Sequence, residues 1–365
     1  MAEASSPGAP PAGASRGFGR LTIEVRRSVS PQLRIGALAG AIAIGLTISA
    51  IALVLAGVPA SDLAQEFIVA TLFDPTNLKA VFVQAAPLVL VGLSAAMAFR
   101  VRFWNLGIEG QMIFGGVGAT AVSLAHAGPD STRLVAMFVA AMLAGAAWAA
   151  IPAALKLLMN VNEIISTLLL NYVASDILLH LLYGVWKDQD GFPHSLKYSA
   201  SELIPDILPG ANGGLVIAAA AAALLVVVTA RSRAGVYMRF VSASPSVAEA
   251  LGVPVRPLVF STVLLSGALA AVAGFVVASS QEGRLTQSFY QGYGVSGVLI
   301  GFLARNNPFA AAIVGVLMAT LVIAGQNLQV FYGIPQSMVQ LIQAVIVMCV
   351  AASDFLTVHR LHWAR

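Results

Sequence analysis

Long apolar runs alternate with short polar stretches along most of the chain. The first run has roughly 23 residues, enough for a helix rising ~1.5 Å per residue to cross a ~30 Å hydrocarbon layer. The repetition of such apolar runs along the chain predicts an all-α, polytopic membrane bundle of about ten transmembrane segments. The runs lie near residues 35–57, 80–99, 109–126, 134–155, 164–186, 213–230, 258–278, 294–304, 309–330 and 336–352.

Composition agrees with a surface that faces lipid. Hydrophobic residues make up 58% of the 365 residues and charged residues only 10%, whereas a soluble domain usually carries about 25% charged residues. The mean hydropathy is +0.86. An ordinary water-soluble enzyme is therefore excluded.

The positive charges lie mostly on one side of the predicted membrane. When loops are assigned to alternate sides, 15 of the 20 Lys and Arg residues share the side that holds the N-terminus. The positive-inside rule then places both termini in the cytoplasm. We expect a disordered basic arm over 1–33, a membrane domain over 34–356 and a cytoplasmic tail over 357–365.

The run at 294–304 is too short to cross the bilayer alone, so it is either half of a broken helix or is lengthened by its flanks. Ten crossings divide into two sets of five that start on opposite sides, so an internal duplication would be an inverted repeat. Glycine-rich polar interruptions precede short apolar runs at 105–111 and 292–297. Broken helices that meet at a transport pathway show this pattern, but chance similarity explains it equally well.

Sequence motifs for catalysis are missing. The chain has no Gly-Lys dipeptide of a phosphate-binding loop and no His-Glu-x-x-His metal motif. It has no Gly-x-Ser-x-Gly elbow either. We therefore expect neither an ATPase site nor a metal or cofactor in this chain, and nothing indicates a nucleic-acid polymer as a partner.

A few polar residues fall inside apolar runs. Tyr172, Asp176 and His180 share one helix face because they are four residues apart. Since a charge inside the bilayer must face protein or water, this strip either lines a solute pathway or makes one interhelical hydrogen bond. The amides of Asn105, Gln111 and Asn171 likewise suit a neutral solute or act as contacts between helices.

The basic loop over 231–257 contains a short predicted helix. Ser244 is a suitable N-cap, Pro245 suits the first helical position, and Gly252 is a natural stop. A capped helix between two spans is typical of a docking element. An amphipathic helix on the inner leaflet is the alternative.

Several ordered blocks resemble the permease subunits of ABC importers of the ribose and branched-chain amino acid superfamily. The stretch AEALGV (248–253) is similar to the coupling helix of that family, and a Ser-Gly-Ala-rich span (266–274) follows it. FWNLGIEGQM (103–112), NEIISTLLLNYVA (162–174) and GVSGVLIGFLARNNP (294–308) are most similar to the nucleoside and simple-sugar branch.

This resemblance implies a bacterial inner-membrane permease that works with a cytoplasmic ATPase, which binds ATP and Mg²⁺. It also implies a second permease subunit and an extracytoplasmic solute-binding lipoprotein. A stand-alone secondary transporter or channel is the alternative. The expected ATPase-coupling residues are Ser246, Ala248, Glu249, Ala250, Leu251 and Gly252. The expected pathway residues are Asn105, Glu109, Gln111, Asn171, Tyr172 and Asp176.

Overall fold

The chain is mostly helical in the computed structural model, which describes residues 20–25, 30–65, 69, 71–188, 191–208 and 211–364. In chain order the helices are α1 (Pro31–Leu55), α2 (Ala60–Ala64), α3 (Thr71–Phe73), α4 (Pro75–Arg100), α5 (Ile108–Leu124), α6 (Asp130–Met159), α7 (Glu163–Tyr183), α8 (Gly213–Arg231), α9 (Arg233–Ala243), α10 (Pro245–Ala250), α11 (Val255–Val276), α12 (Tyr293–Leu303), α13 (Pro308–Tyr332) and α14 (Gln336–Val358). The strands are β1 (Arg20–Val25), β2 (Asp206–Leu208), β3 (Ala211–Asn212) and β4 (His359–Ala364).

Each of the ten predicted apolar runs is helical, which confirms the helical class. Seven of the described helices are long and apolar enough to cross a membrane. Shorter apolar helices occur at Tyr293–Leu303 and Ser337–Ser353, and α5 has 17 residues. A full crossing stays a prediction for α5 and α14, whereas α12 has the length of the run that we expect not to cross alone.

The ends of the chain differ from the predicted bounds. Residues 1–19 of the expected disordered arm lie outside the described residues, but Arg20–Val25 forms β1 and pairs antiparallel with β4 at the opposite end of the chain. The β-branched residues in β1 favour a strand, yet a local pattern cannot reveal a distant partner. The first membrane helix begins at Pro31 because Ser30 caps it, and α14 extends to Val358.

Two central helices, α4 and α11, organise the core. Most of the apolar stretch of each is buried inside the chain. They meet at Ser94 and Ser266, where each hydroxyl donates to the other residue's backbone carbonyl, at 2.7 and 2.8 Å. Helix α4 packs against α12 and α13, which follow α11 in the chain, while α11 packs against α5 and α6, which follow α4. Each central helix therefore packs against the helices that follow the other one.

Close approach between α5 and α11 depends on glycine. A Cβ atom at Gly274 would collide with the backbone carbonyl of Met112, and one at Gly115 would collide with the backbone of Ala271. The two helices can pack at this distance only because these positions carry no side chain, which is the common way in which membrane helices approach closely.

We predict that Gly274→Val lowers the free energy of unfolding of the bundle by about 1–3 kcal/mol, the usual cost of overpacking. The measurement is the thermal unfolding midpoint of detergent-purified protein. Gly40→Val in α1 is the matched control, because nothing lies within 4 Å of a Cβ atom there. Equal midpoints for the two variants would contradict this packing argument.

Candidate functional site

A short non-helical segment, 101–107, separates α4 from α5, and a buried amide pair holds it in place. Asn105 and Gln111 exchange two side-chain hydrogen bonds of 2.9 and 3.0 Å. Asn105 also donates to the Ser266 hydroxyl and accepts from the Gly107 amide. All four hydrogen-bonding positions of the Asn105 amide are therefore satisfied, as a fully buried polar side chain requires.

Helix α7 holds the same segment from its other side. The Asn171 side chain donates to the carbonyl of Leu106 at 2.9 Å and accepts from the amide of Gly110 at 2.8 Å. The Thr167 hydroxyl accepts from the Leu106 amide at 3.3 Å. Asn105, Gln111 and Asn171 thus fix the start of α5. Asn105 and Gln111 are buried in this chain, and the expectation that the three residues line the pathway stays a prediction.

Glu109, in the first turn of α5, joins the starts of two helices. The backbone amides of Gly292 and Gly294, at the start of α12, hydrogen-bond to its carboxylate. Gly294 lies so close that a Cβ atom there would collide with the Glu109 side chain. A carboxylate is favoured at this position because free backbone amides and the positive end of a helix dipole face it.

The segment before α12 is also anchored by tyrosines. Tyr293 donates its hydroxyl proton to Gln84 in α4 at 3.2 Å. The hydroxyl of Tyr290 lies 2.9 Å from that of Ser175 in α7. The two glycine-rich interruptions are therefore neighbours in space, around Glu109 and beside α7. We call this arrangement the helix junction.

Helix α7 exposes a polar strip next to the helix junction. Tyr172 is 71% exposed, and Asp176 and His180 are exposed on the same face. Within the described part of the chain neither Asp176 nor His180 has a hydrogen-bond partner, so an interhelical bond inside this chain does not explain them. Because lipid cannot accommodate such a strip, it faces water or another protein.

The predicted short helix is present as α10. The Ser244 hydroxyl accepts from the Val247 amide at 3.5 Å, and Gly252 ends the turn with a φ of +79°. Ser246, Glu249, Ala250, Leu251 and Gly252 are exposed. Ala248 is fully buried and packs α10 against the bundle, and its place among the coupling residues stays a prediction.

The opposite end of the bundle holds a loop over 188–212. There Glu202 accepts from the hydroxyl of Ser123 and from the guanidinium of Arg133. Burial of the Glu202 carboxyl raises its pKa, but hydrogen bonds from Ser199, Ser123 and Arg133 outweigh this effect and hold the pKa below its ordinary value. The carboxylate therefore ties the loop to α5 and α6.

The same loop is bonded to the segment that leads into α12. The amide of Ser195 donates to the carbonyl of Leu285 at 2.9 Å, and the amide of Tyr198 donates to the carbonyl of Gly283 at 2.8 Å. No sequence signal predicts this pairing, because the two segments carry no shared motif and lie about ninety residues apart.

Comparison with known proteins identifies the family. The model described as "Branched-chain amino acid transport system / permease component" matches residues 77–351. The chain belongs to this permease family. All the blocks on which the resemblance rested lie inside the matched region, so the resemblance is confirmed.

Individual relatives are similar to the permease over most of its length. It is 32% identical over 353 residues to the glucose ABC transporter permease protein TsgB13 of Haloferax volcanii, covering 93% of each chain. It is 28% identical over 277 residues to the guanosine ABC transporter permease protein NupP of Bacillus subtilis, covering 74% of this chain and 79% of that one. It is 24% identical over 291 residues to the nucleoside ABC transporter permease protein NupB of Lactococcus lactis, covering 74% and 78%.

We predict that Asp176 faces water. In a Cys349→Ser background, Asp176→Cys in membrane vesicles should react with a water-soluble thiol reagent at least ten times faster than Leu143→Cys. Leu143 is the control because it is exposed on the apolar helix α6, where thiolate formation in lipid is unfavourable. Equal, slow labelling of both cysteines would show that the strip does not line a water-filled path.

Proposed function

We propose that this permease is the membrane subunit of an ATP-driven ABC importer that carries a nucleoside or a related simple-sugar-like solute into the cell. We place it in a bacterial inner membrane, with both termini in the cytoplasm. The pairing of β1 with β4, which brings the two chain ends together, supports termini on one side. The names of the relatives, which include glucose and guanosine permeases, support this solute class.

The observation that carries the proposal is the helix junction beside an exposed polar strip. A helix of 11 residues rises only ~16 Å, about half of a ~30 Å hydrocarbon layer, so α12 starts inside the membrane. Glu109 meets that start, and Asp176 lies on the adjacent helix. In transporters, irregular backbone at this depth is tolerated where it lines a water-filled cavity.

A second permease subunit completes the pathway in this proposal. The α7 strip is exposed in the single chain, and a facing subunit would enclose it between two protein walls. Tyr172, Asp176 and His180 offer hydroxyl, carboxylate and imidazole groups, which can bond the hydroxyls of a sugar or the ring nitrogens of a base. Glu109 stabilises the helix junction, which lies next to these three side chains.

We also propose an inverted repeat, and the reciprocal packing of the two central helices supports it. Each central helix leads through a break into a helix that packs on the other central helix, α4 into α5 on α11, and α11 into α12 on α4. The symmetric bonds between Ser94 and Ser266 lie where the two halves would be related. We infer that the two halves move against each other during alternating access.

The ATPase partner is proposed to dock on α10. In our proposal ATP and Mg²⁺ bind that partner. The exposed Val247 and Leu251 offer an apolar contact, and Glu249 lies on the same short helix. ATP binding would shift the population towards the outward-open state only if α10 makes different contacts in the two states.

Arg102 provides a direct path from α10 to the helix junction. Its guanidinium donates to the carbonyls of Ser242 and Ala243, both at 2.9 Å, just before α10 begins. The Lys156 ammonium donates to the Arg102 carbonyl at 3.1 Å and pairs with Glu163 at the start of α7. A displacement of α10 would therefore act on the segment that carries Asn105 and leads to Glu109.

An extracytoplasmic binding lipoprotein is the third proposed partner. It would dock on the side that carries the loop over 188–212. Because the backbone of Ser195 and Tyr198 is bonded to 283–285, docking there would act on the chain that enters α12. Solute selection would then rest largely on the lipoprotein.

We predict that Glu249→Arg lowers ATP-driven uptake in vesicles at least tenfold while the protein still inserts into the membrane. The physical reason is a reversed charge on the exposed face of the docking helix. The measurement is accumulation of labelled guanosine or glucose together with the amount of permease in the membrane.

Arg231→Glu is the matched control, because it reverses an exposed charge at the end of α8, outside α10. Its uptake should stay within about twofold of the unmodified permease. Normal uptake by Glu249→Arg would remove α10 from the coupling path, and a stand-alone transporter would then become the better account.

A further inference from the structure

An apolar groove of about 330 Å³ lies between α6 and α8. Helix α6 supplies Leu134 and Phe138 to its walls, α8 supplies Val216 and Ile217, and the end of α11 supplies Phe275. Pockets that hold small ligands in proteins usually measure about 300–1,000 Å³. The groove is therefore large enough for a segment of one extended molecule.

The loop over 188–212 contributes to the groove at the end where α6 and α8 begin. Ile204 and Pro205 of this loop line the groove. The Ile204 amide donates to the carbonyl of Ser279 at 3.1 Å, and the Pro205 carbonyl accepts from the Gly213 amide at 2.9 Å. These backbone groups beside the groove are therefore already hydrogen-bonded within the chain.

Contacts within the chain hold the walls of the groove in place. The rings of Phe138 and Phe275 meet edge to face, with centroids 5.8 Å apart and an interplanar angle of 72°. The Asn212 side chain caps the start of α8. The Lys79 ammonium pairs with the Asp206 carboxylate at 3.2 Å, which ties the loop to α4. A ligand would thus meet a surface that is already shaped.

The chemistry of the walls favours an apolar occupant. Within the part of the chain that the structure describes, no residue that lines the groove carries a polar side chain. An ordered water molecule needs roughly two to four polar partners, so these walls accommodate water poorly. Apolar side chains that face no other atoms also lose dispersion contacts. A hydrocarbon chain restores those contacts and asks for no hydrogen bond.

The groove opens onto the outer surface of two membrane-spanning helices. Both α6 and α8 are long and apolar enough to cross a membrane, and most of the apolar stretch of each is not buried inside the chain. Val135 and Val216 line the groove and are 63% and 47% exposed. At ~1.5 Å per residue, Phe138 lies about 12 Å from the start of α6, within one half of a ~30 Å hydrocarbon layer. The groove is therefore at the depth of the acyl chains of one leaflet.

We propose that this groove is a phospholipid site, in which one acyl chain lies between α6 and α8 against Phe275. Membership of a membrane permease family places these helices in a bilayer, so an acyl chain reaches the groove without leaving the membrane. The choice of the extracytoplasmic leaflet rests on the orientation in the proposed function. Because the chain contacts both Phe275 and the loop that is bonded to Ser279, an occupied groove stabilises the segment between α11 and α12.

The test measures the phospholipid that stays bound to the purified permease. The protein is reconstituted in vesicles of palmitoyl-oleoyl phosphatidylglycerol, dissolved in excess dodecyl maltoside and passed through size exclusion, and bound lipid is counted by native mass spectrometry. The unmodified permease should retain one lipid per chain. Val216→Trp, which fills the groove, should retain it at least ten times less often.

Leu224→Trp is the matched control, because Leu224 is 63% exposed on the same helix but does not line the groove. It should retain the lipid normally. Val135→Trp fills the groove from the opposite wall and should also lower retention at least tenfold, so the test does not depend on one variant. A single symmetric elution peak identifies the variants that fold.

The outcomes separate this inference from the proposed function. Normal lipid retention by folded Val216→Trp and Val135→Trp would overturn the phospholipid site, and so would an equal loss of lipid in Leu224→Trp. Loss of a second copy of the chain, with the lipid retained, would assign the groove to a contact between subunits and also overturn it. None of these results touches ATP-driven uptake, because the proposed function fails only when the complete assembly with the unmodified permease does not accumulate solute.

Discussion

Backbone that is not helical can persist inside an apolar bundle only when protein groups satisfy its amides and carbonyls. The segment over 101–107 meets this requirement through Asn105, Gln111 and Asn171, helped by hydroxyls of Thr167 and Ser266. Without that set of bonds α5 could not begin within the bundle. Glu109 would then not meet the amides at the start of α12.

This constraint connects the two ends of the molecule. On the side of α10, Arg102 precedes the break and holds the carbonyls at the end of α9. On the opposite side, the loop over 188–212 is bonded to the chain that enters α12. The first connection runs through the side chain of Arg102, and the second runs through backbone hydrogen bonds. The junction is thus the point at which movements of two docking partners would meet.

The sequence predicts the elements well because their signals are local. Apolar runs mark the long helices, and Ser244 with Gly252 marks the ends of α10 to within two residues. Because a charge in lipid is costly, the sequence also predicts that Glu109 and Asp176 face protein or water.

The sequence does not predict which way every residue of an element faces. Ala248 lies on the docking helix but faces the bundle, and Asn105 is buried although an amide could equally have lined a pathway. Periodicity is silent on both, because α10 has only six residues and Asn105 lies in a segment that is not helical. The pairing of β1 with β4 depends on contacts between distant segments, for which one sequence holds no local signal.

The central claim is that this permease is a passive gate driven by an ATPase attached to its inner surface. Its most direct test is solute accumulation in proteoliposomes that contain the purified chain, with and without the ATP-binding subunit and the binding lipoprotein. The account predicts accumulation of guanosine or glucose above the external concentration only for the complete assembly with Mg-ATP. Concentrative uptake by the chain alone, driven by a proton or sodium gradient, would contradict it.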